Sequence, residues 1–133
     1  KIKFIIPYSF YWANRYKPIG VMIDNKFQKI LLKKKNDLQK LKKNFFLVSK
    51  IHNFKEAINI KRLIDFIFIS PTFETKTHPN QLPISNYIFI SLCFFFKEKV
   101  IFALGGVNDI NFGSIKNNRV RGFGAISYFK DKE

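Results

Sequence analysis

Asp65-Phe66-Ile67-Phe68-Ile69-Ser70-Pro71-Thr72-Phe73-Glu74-Thr75-Lys76-Thr77-His78-Pro79 is an apolar run that breaks at Ser-Pro into a polar loop. Its first half, Phe66 to Ile69, is continuously β-branched and aromatic, the pattern of a strand buried in a parallel sheet. Its second half holds three threonines, a lysine and a histidine. A strand ending in hydroxyls and cations is how an α/β fold assembles a phosphate site, because side chains at parallel strand C-termini converge on one open face. Read alone, the stretch fits equally a buried strand followed by an ordinary polar loop.

Outward from it, strands and helices alternate. Lys1 to Ile6 reads as a short strand stopped by Pro7. Ser9 is placed to cap a short helix over Phe10–Lys17, which Pro18 ends. Gly20 to Ile23 is a second strand closed by Asp24-Asn25. Lys26–Lys43 predicts an amphipathic helix interrupted near Asn36-Asp37. Phe45 to Ser49 is a third strand. A helix follows over Asn53–Ile64, with Asn53 and Glu56 as a capping box, and Asp65 fixes a local turn. Tyr87–Phe96 is apolar all round; its length and position predict a buried helix, while its β-propensity points the other way. Val100–Leu104 is a fifth strand stopped by Gly105-Gly106, Asn108–Lys116 a short helix, and Gly122–Ser127 a sixth strand. The expected fold is α/β: about six parallel strands covered by helices, in one domain spanning residues 1–133.

The 133 residues are 47% hydrophobic, enough for one core. The single cysteine, Cys93, excludes an internal disulfide framework and a Cys-rich metal site, and it suits a reducing cytoplasm. The apolar run Tyr87–Phe96 is about half of the roughly 20 residues a membrane helix needs, so no membrane partner is expected. The formal charge of +15 invites a nucleic-acid reading. The cations are mostly Lys, clustered in Lys26–Lys43 without Arg-aromatic interleaving or zinc-finger spacing. A solvated helix face, or a field that attracts phosphorylated small molecules, accounts for them better than a nucleic-acid partner.

Several motifs, in order, resemble the thiamine phosphate synthase and TenI-like family of β/α barrels. Ser70-Pro71-x-Phe73-x-Thr75-x-Thr77-His78 resembles the family's G-P-x-[FY]-x-T-x-T-K loop, with His78 at the lysine. Ser49-Lys50-Ile51-His52 with Glu56 resembles G-x-S-x-H-x-x-x-E. Ala103-Leu104-Gly105-Gly106-Val107 with Asn111 resembles A-I-G-G-I and its downstream Asn. Gly122 to Ser127 fits the last strand. The resemblance implies a partial TIM (β/α)8 barrel made of the third to eighth units, with the first two β/α units missing; Lys1 in place of a Met points the same way. It implies a transferase joining a pyrimidine diphosphate to a thiazole phosphate, giving thiamine phosphate and pyrophosphate. Thr75, Thr77 and His78 would then face the pyrophosphate as catalytic residues. Ser49, Lys50, Gly105, Gly106 and Ser127 would bind substrate phosphates.

The family's cofactor is Mg2+. Its N-D-D segment falls on Pro7-Tyr8-Ser9 and its second metal carboxylate on Phe27, leaving Asp24 as the nearby acid. The TenI-like tautomerase branch carries a His where Pro71 stands. Three functions compete: a synthase homologue, a non-catalytic phosphate-binding member of the fold, and a polyanion binder. A barrel lacking two units has two open sheet edges, which favour self-association into a homo-oligomer.

Overall fold

The computed structural model describes residues 3–116, 118–125 and 128. Its elements follow in the order β1 (Ile5–Pro7), α1 (Phe10–Tyr16), β2 (Gly20–Met22), α2 (Asn25–Lys33), α3 (Lys35–Asn44), β3 (Phe46–Ile51), α4 (Phe54–Ile60), β4 (Phe66–Ile69), α5 (Asn86–Phe95), β5 (Val100–Leu104), α6 (Asp109–Phe112) and β6 (Val120–Gly124). The six strands form one sheet in sequence order, and each neighbouring pair is parallel. Consecutive β/α units laid side by side are the wall of a β/α barrel.

The two faces of the sheet differ. Leu47, Ile51, Ile67, Ile69, Ile101 and Ala103 are fully buried under the helices. The alternate residues, Phe46, Phe66, Phe68 and Phe102, pack ring against ring across β3, β4 and β5: Phe46–Phe66 and Phe68–Phe102 are stacked at 4.9 and 5.2 Å, Phe66–Phe102 meets edge to face at 6.3 Å, and Phe46 remains 49% exposed. Gly122 and Gly124 leave room beside these side chains: a Cβ at either would touch the Phe102 ring or Leu104.

Helix ends follow their capping chemistry. Ser9 accepts from the Trp12 N–H and Asp24 from the Phe27 N–H, opening α1 and α2. Several details depart from expectation, among them Pro7, which lies within β1 and does not stop the strand before it. The Lys-rich stretch does break into two helices, but at Lys34, not at Asn36-Asp37. Asp37 instead lies in the first turn of α3, where a carboxylate complements the exposed N–H groups. Asn53 caps α4, yet Glu56 does not reach back to it; its carboxylate takes the His52 N–H and the His52 ring instead. The Tyr87–Phe96 stretch is helical, as its length suggested, but not buried all round. Phe89, Leu92, Cys93 and Phe96 form the inward stripe, while Tyr87 is 81% exposed. Among the described residues no helix is long and apolar enough to cross a membrane.

Candidate active site

Two cavities open at the C-terminal ends of the strands, where an α/β sheet presents its ligands. The second of these, about 350 Å³, gathers most of the residues singled out from sequence: Thr75, Thr77, His78, Gly105, Gly106 and Lys50. The loop after β4 and the turn after β5 are joined directly. The Thr72 N–H donates to the Leu104 carbonyl (2.9 Å) and the Phe73 N–H to the Gly105 carbonyl (3.1 Å). Within the loop, the Thr75 hydroxyl accepts from the Thr77 N–H at 3.2 Å, which leaves its own proton to donate. Thr72 is buried and bonds back to the Ile69 carbonyl, so it holds the loop.

The glycines owe their identity to this junction. Gly105 and Gly106 have φ of +89° and +64°. A Cβ on Gly106 would overlap the Glu74 carbonyl oxygen, and one on Gly105 would press on Pro71 at 3.1 Å. What excludes a side chain is therefore the threonine loop itself. Asn111 completes the turn: its amide donates to the Gly106 carbonyl (2.8 Å), and its oxygen accepts from the Asn108 N–H (2.9 Å).

The first cavity, about 520 Å³, lies at the ends of β1 to β3 and is lined by Tyr8, Asp24, Lys26, Phe27, Lys50 and His52 among others. Lys50 borders both cavities. Its neighbour Ser49 also lines the first cavity, but as a nearly buried hydroxyl that is engaged on the helix side of the strand. Ser49 is 1% exposed; its hydroxyl donates to the Ile23 carbonyl (3.0 Å) and accepts from the Gln28 amide (2.8 Å). Ser127 lies outside the described residues.

Sequence reading missed the Tyr8–Phe27 pair, whose rings sit 4.0 Å apart. No local pattern connects two aromatics on separate β/α units. Burial, and then the nearby Asp37 carboxylate, push the Tyr8 phenol above its ordinary value, so it stays neutral.

The residues present do not fit Mg2+. The ion needs several hard oxygen ligands in near-octahedral geometry. Asp24 is the single carboxylate lining the first cavity, and one of its oxygens already accepts from the Phe27 N–H at 2.7 Å. Among the described residues there is no group of three or more His, Cys, Asp or Glu placed to hold a metal ion.

A parallel sheet wound in sequence order, with cavities at its C-terminal edge, defines an α/β protein of the β/α-barrel kind. The chain is similar in structure to thiamine phosphate pyrophosphorylase from Bacteroides thetaiotaomicron, with a TM-score of 0.56 and 16% sequence identity. The match covers 92% of this chain and 53% of that one, so the chain spans about half the length of the protein it resembles. No protein-family model matches the sequence, and no curated protein matches it.

Proposed function

We propose that the chain acts in thiamine biosynthesis as a thiamine phosphate synthase-like transferase, joining hydroxymethylpyrimidine diphosphate to thiazole phosphate with release of pyrophosphate. The observation that carries this reading is the convergence of Thr75, Thr77 and His78 with the Gly105-Gly106 turn and Lys50 around one cavity. In the reaction the C–O bond to pyrophosphate breaks, a pyrimidine-methyl cation forms, and the thiazole nitrogen captures it. Such a step asks the protein for two things: donors aimed at the departing charge, and two rings held in register. Thr75 and Thr77 supply hydroxyl donors, Lys50 supplies fixed charge, and His78 adds charge when protonated. The likeness to a thiamine phosphate pyrophosphorylase supports the same reading at the level of the fold.

Thiamine phosphate formation from the two substrates tests it. Thr75→Ala should lower kcat/KM by about tenfold to a hundredfold, the effect of removing one charge-stabilising donor. A second reading, a non-catalytic phosphate binder of the same fold, is favoured by the single carboxylate in the first cavity. It predicts no product, but saturable thiamine phosphate binding that Thr75→Ala weakens. Neither turnover nor binding sinks both readings.

A further inference from the structure

We infer that the first cavity takes a flat ring bearing a diphosphate without any divalent cation, with the ring against Tyr8 and Phe27 and the charge against Lys26 and Lys50. The ligand class rests on the proposed function; the independence from metal rests on the cavity itself.

The oxygen atoms that a hard cation would need are few or already engaged. Asp24 caps α2 through one carboxylate oxygen. The Ser49 hydroxyl is buried between Gln28 and Ile23. The Met22 carbonyl accepts from the Tyr8 N–H at 2.9 Å. The Tyr8 phenol stays protonated and offers no anionic oxygen. Against this sparse set stand two exposed lysines on the same lining, which repel a cation and attract a polyanion. Lysine ammonium groups are compact point charges with three donors each, suited to phosphate oxygens.

Apart from Asn25 and His52, the rest of the lining is apolar and aromatic. Pro7, Met22, Ile23 and Ile30 flank the Tyr8–Phe27 pair, whose rings are tilted by 31°. A surface of this kind takes the face of a planar heterocycle, while the lysines take its charged tail. A volume of about 520 Å³ accommodates both parts. Lys50 borders the second cavity as well, so the two cavities share one cation.

Calorimetric titration of the whole chain with inorganic pyrophosphate, in excess EDTA and then in excess MgCl2, tests this. The dissociation constant should agree within about twofold between the two buffers. Lys26→Ala and Lys50→Ala should each weaken binding by about tenfold or more, the cost of a lost charged hydrogen bond. Hydroxymethylpyrimidine diphosphate should bind more tightly than pyrophosphate, and Tyr8→Leu should erase that gain. Both lysines are exposed, so native-like thermal unfolding of the variants is expected and is measured alongside. Binding that tightens tenfold or more with Mg2+, binding indifferent to both lysines, or no binding in either buffer overturns the inference. Thiazole phosphate is titrated in parallel. If it binds and thiamine phosphate forms, the proposed function survives even where metal independence fails; if pyrophosphate binds without metal and thiazole phosphate does not, only the synthase reading falls.

Discussion

Cys93 shows how much one residue's surroundings were legible. Its place inside an apolar run announced burial, and it is 2% exposed on the inward stripe of α5. Burial pushes its thiol from an ordinary value near 9 up to about 12. At pH 8 the native thiolate fraction is about one in ten thousand, so alkylation should be slow in the folded chain and fast in urea; equal rates in both would refute the burial. The sign of the pH effect follows. The unfolded thiol ionises above about pH 9 and the folded one does not, so this group's share of stability is full below about pH 9 and is lost as pH rises towards about 12. The difference between wild type and Cys93→Ala should shrink over that window. Ser49 was the harder case. Its hydroxyl lines the first cavity, and its partner Gln28 is 21 positions away, a relation no local pattern carries.

Among the elements, the strands were the most legible. Phe66–Ile69 and Val100–Leu104 fall where their apolar runs and stop signals put them. The helix over Asn86–Phe95 was the ambiguous one, because its Ile, Phe and Tyr favour strands. What decided it is the spacing of Phe89, Leu92, Cys93 and Phe96 on one face, with Ser85 capping the start. Asp65, expected to fix a turn, ties two units together: its N–H donates to the Leu47 carbonyl and its carboxylate accepts from the Leu47 N–H, both at 2.9 Å. Asp65→Ala leaves that buried N–H unpaired and should cost about 1 to 3 kcal/mol, read as a lower urea midpoint. Asp65→Asn, which keeps an acceptor oxygen, should recover part of the loss. An unchanged midpoint for the alanine variant would rule out this role.

At the scale of the whole molecule, a phenylalanine-lined sheet face and a +15 formal charge pull in opposite directions. Phe46 stays half exposed, and α1 exposes Phe10, Tyr11, Trp12 and Tyr16 beside the edge strand β1. Apolar surface of this extent favours association, and like charge opposes it. Association should therefore strengthen as salt screens the lysines, a trend opposite to that of a polyanion complex. Sedimentation velocity across a salt series measures it. A monomer at every ionic strength, with no binding of an apolar dye, would refute the expectation.

The bonds from Thr72 to Leu104 and from Phe73 to Gly105 carry a consequence for evolution as much as for stability. The peptide groups that anchor the threonine loop belong to the β5 strand end and its turn, and the turn's glycines are shaped by that loop in return. Neither segment is free to change its backbone alone. Drift in this chain's sequence can rewrite the side chains at Thr75, Thr77 or His78 at little structural cost. A bulkier residue at Gly106, by contrast, would demand a simultaneous redesign of the segment around Glu74. The side chains at this rim are thus more readily changed than the scaffold that holds them, so the architecture can outlast any particular set of groups it displays.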